Sequence, residues 1–343
     1  MDRELAGRDV AGRAGVRVGV RDVAAHAGVS TQTVSRVIND HPHIRPETRE
    51  RVRAAMAELG YRVNNAARSL GTATTRTLGV IASDATLYGP SVGIAALAAA
   101  ARERDRWIAT AYADAADEAS VRSALEHLLA QGVDGVVVLA PHVRTLEITR
   151  NAAGAVPVVA LHAGPGAQRQ SEGAERAVDH LVTLGHRRIG RLSGPADWVE
   201  ATARDAGVER AFVRHGLADA GRWRGDWSAA AGEAAAVSVA EVVGADGGPT
   251  AIVVANDQMA LGLVAGLAAR GVSVPAEVSV AGFDDNPDAA FYRPALTTVR
   301  LDLAGEARRA VSAALGLPVD ADPAPPQLVA RASTAPPPDP SSP

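Results

Sequence analysis

The stretch 20–38, VRDVAAHAGVSTQTVSRVI, decides the fold of the N-terminal part of the chain. Its apolar residues recur at helical spacing in two short runs, and Gly28 separates the first run from the second. Ser30 precedes the second run, where a serine hydroxyl can accept a hydrogen bond from a free backbone N–H of the first turn. The stretch therefore predicts two short helices joined by a tight turn, which is the helix-turn-helix motif.

The second of these helices has an exposed face rich in hydrogen-bonding side chains. Val34 and Val37 form its apolar face, so the opposite face carries four polar residues: Thr31, Gln32, Ser35 and Arg36. Such side chains suit base edges and phosphates. A surface helical hairpin of some other domain would show the same pattern, so the motif alone leaves two alternatives open.

A third helix is predicted in RPETRERVRAAMAELGYR, residues 45–62. Pro46 occupies its first turn, Glu47 complements the positive end of the helix, and Gly60 ends it. Its apolar stripe consists of Val52, Ala55, Met56 and Leu59.

Charge is distributed unevenly along the 343 residues. The net charge is −4, yet nine arginines face five acidic residues between Arg17 and Leu70, so this segment is positive and the remainder is acidic. All basic residues are arginine, whose fork grips phosphate or guanine with two bonds. We expect Arg17 and Arg21 to hold phosphates, and Gln32 and Arg36 to read bases.

Composition excludes several classes of protein. The chain has no cysteine, which excludes disulfide frameworks, thiolate catalysis and cysteine metal sites. No apolar run is long enough to cross a membrane, and the first residues lack the apolar core of a secretory signal. We therefore expect a cytoplasmic protein with a disordered leader at 1–16, no membrane association and no cofactor or metal.

From residue 78 the pattern changes to short apolar strands that alternate with helices. This alternation predicts parallel sheets covered on both faces, in two doubly wound lobes. The predicted strands are 78–83, 107–113, 135–140, 156–161, 187–194, 251–257 and 278–285. The predicted helices are 93–105, 118–132, 174–185, one through Glu209 and Phe212, 234–244 and 258–271. Beyond Leu317 we expect an extended or disordered tail, in which QLVARAS (327–333) adds one strand.

Polar residues follow three of these strands, where a ligand of a doubly wound sheet binds. The pairs are Ser83-Asp84, Asn256-Asp257 and Asp284-Asp285, and Trp227 offers a flat face for a sugar ring. Taken singly, each of these residues would more often cap a helix or shape a turn. Their convergence on one edge of the sheets favours a pocket.

The run from Arg21 to Leu70 resembles the DNA-binding headpiece of the LacI family of bacterial transcription regulators. DVAAHAGVSTQTVSRVIN, TRERVRAAMAELGYR and NNAARSL stand in that family's order and spacing. The resemblance implies a homodimer on double-stranded, pseudo-palindromic operator DNA, with Leu70 as an apolar wedge in a hinge that folds on the minor groove. It adds further contacts to the DNA-binding set: Thr33, Asn39, Tyr61, Asn64 and Ala67.

The body resembles the periplasmic-binding-protein-like core of the same family, and GDWSA, VANDQMALG, GFDDNPDAAFYRPALTTV and LYGPS resemble its lac branch. The resemblance implies a small-molecule sugar effector, with a galactoside or related glycoside as the expected class. By motif position, the implied ligand-binding residues are Ser83, Leu87, Pro90, Arg204, Trp227, Asn256 and Asp284.

This sequence also departs from the branch. His162 stands where an aspartate would bind sugar hydroxyls, and the segment 163–173 is about six residues short by comparison with the family. Leu301 and Leu303 replace an expected glutamine and an expected aromatic residue. The half of the pocket in the second lobe is thus retained, while the half in the first lobe is altered around His162.

Two other functions compete with that of a regulator. GPSVG, residues 89–93, matches the serine hydrolase elbow, which needs a strand that runs directly into Ser91. A sugar carrier without a DNA-binding function would share the core, but the headpiece and the missing secretory signal disfavour it. We expect no enzyme activity.

The predicted domain organisation has five parts. It comprises a leader (1–16), a helix-turn-helix headpiece (17–62), a hinge (63–75), a two-lobed core (76–331) and a disordered proline-rich tail (332–343). Within the core, the first lobe spans about 76–165 and 303–318, and the second about 170–299.

Overall fold

The computed structural model describes residues 18–63, 74–84, 86–139 and 142–338. The chain divides into two units between Thr75 and Arg76. Several predicted positions lie outside the described residues and stay predictions: the leader 1–16, Arg17, Asn64, Ala67 and Leu70.

The first unit contains the three helices that the sequence predicts: α1 (Val20–Ala27), α2 (Thr31–Ile38) and α3 (Pro46–Glu58). Gly28 ends α1 with a φ of 62°, a left-handed conformation that favours glycine. The Ser30 hydroxyl accepts a hydrogen bond from the Thr33 N–H at 3.1 Å and caps α2. Val23, Val34 and Val52, one from each helix, are fully buried together. The helix-turn-helix prediction is confirmed.

The first lobe of the second unit is a parallel sheet of order β2-β1-β3-β4. Its strands are β1 (Thr77–Ala82), β2 (Trp107–Tyr112), β3 (Gly135–Leu139) and β4 (Val158–Ala160). The helices between them are α4 (Tyr88–Glu103), α5 (Glu118–Ala130) and α6 (Val143–Ala152).

The second lobe repeats this arrangement with a parallel sheet of order β6-β5-β7-β8. Its strands are β5 (Ile189–Ser193), β6 (Asp219–Arg224), β7 (Ala251–Val254) and β8 (Ser279–Ala281). The accompanying helices are α7 (Pro165–Thr183), α8 (Val199–His215), α9 (Ala229–Val242) and α10 (Asp257–Ala268). The two doubly wound lobes expected from the sequence are confirmed.

The C-terminal part of the chain contacts both lobes. After a 3-10 turn at Pro287–Phe291, β9 (Thr298–Arg300) pairs in antiparallel fashion with β10 (Gln327–Val329), and both contribute to the core of the second lobe. Between them, α11 (Leu303–Ala314) packs on the core of the first lobe. The chain thus crosses between the lobes on both sides of α11.

The expected disorder from residue 332 is wrong for residues 332–338. Ser333 is fully buried, and its hydroxyl donates to the Val280 carbonyl at 2.6 Å while accepting from the Thr297 N–H at 2.8 Å. The Ala335 N–H donates to the Ser279 hydroxyl at 3.0 Å. These bonds to β8 and its neighbour outweigh the low intrinsic order of a proline-rich segment.

Four elements escaped the sequence pattern, namely α6, β6, β9 and α11, and three helices, α4, α7 and α9, begin at least five residues earlier than expected. α4 begins at Tyr88 rather than at residue 93, and α7 begins at Pro165 rather than at residue 174. Each of these two helices carries a proline in its first turn, where proline is well tolerated. The early start of α7 makes residues 165–173 of the segment 163–173 part of a helix.

Candidate DNA-binding surface and effector cavity

The outer face of α2 presents the polar residues that the sequence singles out. Thr31, Gln32, Ser35 and Arg36 are exposed, as is Arg21 on α1. Among the described residues, neither Arg21 nor Arg36 takes part in an ion pair, whereas Arg49 pairs with Asp40 at 2.7 Å. Arg21 and Arg36 therefore remain available to phosphates or bases.

The other predicted DNA contacts within the described residues are less exposed. Thr33 is half-buried, and its hydroxyl lies 2.9 Å from that of Ser30 as part of the cap of α2. Asn39 follows the last turn of α2, and Tyr61 packs against the apolar cluster of the headpiece. Their DNA-binding roles stay predictions.

A cavity lies between the two lobes of the core. The predicted ligand-binding residues in its wall are Leu87, Pro90, His162, Arg204, Trp227, Asn256 and Asp284. The structure adds Gly89, Leu139, Trp198, Glu200 and Gln258, which the sequence analysis missed. Ser83 is buried at the end of β1 and is not part of this wall. The predicted convergence is thus observed for seven of the eight residues, while their binding of a ligand stays a prediction.

Arg204, on α8, connects the segments that form the second-lobe side of the cavity. Its Nε donates to the Gln170 side-chain oxygen at 2.8 Å, one terminal nitrogen donates to the Ala255 carbonyl, and the other donates to Asp284 at 2.9 Å. Its guanidinium carbon also lies 3.9 Å from the centre of the Phe283 ring. Burial raises the pKa of Asp284, and the charge of Arg204 opposes this rise.

Asn256 has the structural role that the sequence left open. Its side-chain oxygen accepts from the Met259 N–H at 2.9 Å and caps α10, while its amide nitrogen donates to the Trp227 carbonyl at 3.0 Å. Asn256 therefore fixes the wall of the cavity through its neighbours.

Trp227 is held in a strained conformation by tight packing. Its φ is 77°, which is rare for a bulky residue. A Cβ atom on Gly194 would lie only 2.4 Å from the Trp227 ring, so a glycine is required at position 194. The ring also contacts Trp198, at a centroid distance of 5.3 Å and an angle of 60°. Such strain persists where the surroundings over-determine a conformation, which is frequent at ligand sites.

Three buried polar atoms in the cavity wall have no hydrogen-bond partner among the described residues. They are Nδ1 of His162, Oε2 of Glu200 and Nε1 of Trp227. Buried polar groups are normally paired, so unpaired ones that share a cavity point to a ligand. Burial lowers the pKa of His162 to about 3, and the charges of Arg204 and Arg309 contribute. This histidine is therefore neutral near pH 7.

Glu200 is the functional candidate that the sequence analysis missed. Burial raises the pKa of its carboxyl to about 7, partly offset by a hydrogen bond to its own backbone and by the charge of Arg204. One signal was available, because Glu200 precedes Arg204 by four residues and thus shares its face of α8. A pocket that contains Arg204 therefore contains Glu200 as well.

The departures at Leu301 and Leu303 lie in an adjoining cavity. It shares His162, Arg204 and Asp284 with the first cavity. The two leucines give this part of the wall an apolar character.

The geometry of a serine hydrolase elbow is not formed at GPSVG. Strand β1 ends at Ala82, whereas Ser91 lies inside α4. No helix among the described residues has the length and apolar character to cross a membrane.

Two family models match the chain. The model of bacterial regulatory proteins of the lacI family matches residues 20–64, and that of a periplasmic binding protein-like domain matches residues 178–334. The chain is 36% identical over 290 residues to the lactose operon repressor of Escherichia coli (strain K12), which covers 82% of this chain and 79% of that protein. It is 32% identical to the catabolite control protein A of Priestia megaterium, over 83% of this chain and 87% of that protein.

Solved structures give the same result. A lac repressor dimer bound to operator and the anti-inducer ONPF matches with a TM-score of 0.76 and 33% identity, over 93% of this chain and all of that one. The transcriptional regulator CelR in complex with cellobiose matches with a TM-score of 0.66 and 28% identity, over 92% of this chain and 100% of that one. The chain belongs to the lacI family of bacterial regulatory proteins, as its sequence motifs indicate.

Proposed function

We propose that this protein is a transcriptional repressor that binds a pseudo-palindromic operator as a homodimer and is released by a sugar. The observation that carries the proposal is the pairing of two features in one chain. An exposed helix face suits DNA, since its Arg36 has no ion-pair partner among the described residues. The cavity suits a small polar ligand, since three buried polar atoms in its wall have no hydrogen-bond partner in the part of the chain that the structure describes. Since its target is bacterial DNA, we expect the protein to act in the cytoplasm.

Coupling between the two sites requires that the ligand favour one arrangement of the lobes. The cavity wall meets this requirement, because Leu87 and Pro90 come from the first lobe while Arg204 and Trp227 come from the second. The backbone N–H of Tyr88 also donates across the cleft to the Gln258 side chain at 3.2 Å. The transmission of a lobe movement through the hinge and Leu70 stays a prediction.

A galactoside or related β-glycoside is the proposed effector class. Trp227 offers an apolar ring face. Nδ1 of His162 and Oε2 of Glu200, which have no partner among the described residues, suit hydroxyl groups. The relatives support the class, since one is named for the lactose operon and another is bound to cellobiose. Because His162 replaces a carboxylate, we expect simple inducers of the lactose type to bind weakly.

The proposed assembly is a dimer formed by the core. Prolines occupy the tail at 323, 325, 326 and 336–338, and a proline breaks a helix. A helix that could join two dimers is therefore not expected within residues 323–338. Sedimentation at micromolar concentration should give a dimer, and a tetramer would contradict this proposal.

The function is tested by selecting an operator from random DNA and then titrating sugars against the complex. We expect one or more of lactose, cellobiose, galactose and o-nitrophenyl galactoside to release the operator and to change the tryptophan fluorescence. Asp284→Ala should weaken both responses together, because Asp284 holds Arg204 in the cavity wall. If no selected DNA sequence binds better than random DNA, or no sugar changes either signal, the proposed function is wrong.

A further inference from the structure

The side chain of Glu200 occupies an unusual electrostatic position in the cavity. The residue is 5% exposed, lies in the first turn of α8 and lines the cavity, and its buried Oε2 atom has no hydrogen-bond partner among the described residues. A buried carboxylate is costly unless it is paired or hydrogen-bonded. A ligand in the cavity can therefore satisfy this carboxylate.

The charged groups around Glu200 do not neutralise it. Arg204 is engaged by Asp284, Gln170 and the Ala255 carbonyl, so its donors are directed elsewhere. His162 faces the same cavity in its neutral form. With Arg204 and Asp284 compensating each other, the ionised Glu200 leaves one excess negative charge in the wall.

Aromatic and apolar side chains surround this carboxylate. Trp198, two residues earlier, packs its ring against both Trp227 and His142. Leu87, Pro90 and Leu139 complete the apolar part of the wall. A polar acceptor set among aromatic faces is an arrangement that suits a sugar ring, whose edge carries hydroxyls and whose face carries C–H groups.

We propose that Glu200 is a specificity-determining residue of the effector site, and that its carboxylate accepts hydrogen bonds from adjacent hydroxyl groups of a neutral sugar. This inference rests on the proposed function, which it deepens by naming an acceptor and its ligand group. The site binds the sugar with Glu200 ionised, since only the carboxylate form offers both oxygens as acceptors.

Effector binding is consequently linked to pH. Because the free carboxyl has a pKa of about 7, lowering the pH protonates it and turns one of its two acceptor oxygens into a hydroxyl donor. We expect the sugar affinity to be about tenfold weaker at pH 6 than at pH 8. His162 stays neutral across this range, because its pKa is about 3.

Other titratable groups lie near this site. Asp284 faces the cavity, Tyr88 lies at its edge, and His142 packs on Trp198 while bonding to Asp197 at 2.8 Å. Burial raises the pKa of the nearby Asp257 to about 8, but its oxygens accept from Thr298 and Asn286. A variant at Glu200 is therefore needed to separate its contribution from theirs.

The test measures the dissociation constant of the tightest sugar of the panel between pH 5.5 and 8.5, using intrinsic tryptophan fluorescence. In Glu200→Gln, which keeps the size of the side chain, the tenfold pH dependence should disappear and the affinity at pH 8 should fall at least tenfold. Glu209→Gln is the matched control, because Glu209 lies on the same helix but is exposed. It should keep the wild-type affinity and pH profile.

Deoxy analogues of the same sugar identify the bonded hydroxyls. Removal of one or two particular hydroxyls should weaken binding to wild type strongly and to Glu200→Ala only slightly. If Glu200→Gln retains the wild-type affinity and profile, this inference is wrong while the proposed function stands. If no sugar binds the wild type, both fail. If glucosamine binds at least tenfold more tightly than glucose at pH 7, the ligand group is an ammonium and the hydroxyl assignment is overturned.

Discussion

The headpiece and the cavity use polar side chains in opposite ways. On α2 the candidate contacts are exposed, and Arg36 has no ion-pair partner among the described residues. In the cavity Arg204 is 8% exposed, and each of its three side-chain nitrogens donates a hydrogen bond to another part of the protein. The headpiece thus holds its binding groups ready for an external partner, whereas the cavity uses one of them to build the site itself.

This difference has a thermodynamic consequence. An exposed side chain is solvated in the free protein, so its removal affects binding but little else. A buried charge that loses its partner keeps the full cost of desolvation. Substitutions should therefore separate function from stability in the headpiece and couple the two in the cavity.

The largest expected effect is that of Arg204→Ala. The substitution leaves Asp284 buried without its counter-charge and should lower the free energy of unfolding of the core by about 3–5 kcal/mol. Denaturant unfolding followed by circular dichroism measures this effect. Arg210→Ala, on the same helix, removes a partly exposed pair with Glu175 and should change stability by less than about 1 kcal/mol. Equal losses in the two variants would contradict the distinction.

The second prediction concerns the pH dependence of stability. The pKa of Glu200 is about 7 in the folded protein, against an ordinary value of 4.5. Between these values the folded protein holds a proton that the unfolded chain releases, so the stability from this group falls as the pH rises. Wild type should lose about 3 kcal/mol relative to Glu200→Gln between pH 4.5 and 7.5. If the free energies of unfolding of wild type and Glu200→Gln change equally with pH over this range, burial does not raise the pKa of Glu200 as stated.

In the headpiece, Arg36→Ala should weaken operator binding by about 1–3 kcal/mol and relax the sequence preference at the contacted base. Its unfolding curve should match that of wild type, since Arg36 is exposed. Fluorescence anisotropy on operator and random DNA measures the specificity ratio. A ratio equal to that of wild type would show that Arg36 does not read bases.

The smallest expected effect concerns two serines of the same helix, one at its cap and one on its exposed face. Ser30→Ala removes the cap of α2 and should lower the stability of the headpiece by about 1 kcal/mol. Ser35→Ala, on the exposed face, should change stability by less than about 0.5 kcal/mol but reduce DNA affinity. Thermal unfolding measures the stability of both variants, and DNA titrations measure their affinity for DNA. Equal stability losses at the two serines would mean that exposure does not distinguish them.

The helix-turn-helix could be predicted in detail because its signals are local. Gly28, the cap at Ser30 and Pro46 each act within one turn of a helix. The doubly wound lobes followed from the alternation of apolar strands with helices. The ends of the elements were less predictable. Pro90 and Pro165 resemble loop residues in sequence, yet both lie in the first turns of helices.

Strands of mixed polarity were the hardest to predict from the sequence. β6, DAGRWR, lies at the edge of its sheet and carries charged residues, so it shows no apolar run. The ordered tail at 332–338 was hidden for a related reason. Composition predicted disorder, but the order comes from hydrogen bonds to Val280 and Ser279, which are distant in sequence.

The sequence by itself determined the family, the two kinds of domain and most residues of the cavity wall, because motifs and hydrophobic periodicity are written along the chain. Only the tertiary structure decided which polar atoms are satisfied. Asn256 caps a helix, Arg204 is engaged by Asp284, and the Oε2 atom of Glu200 has no partner among the described residues. Burial and pairing depend on segments far apart in sequence, so the chemical state of a side chain is fixed only when these segments meet.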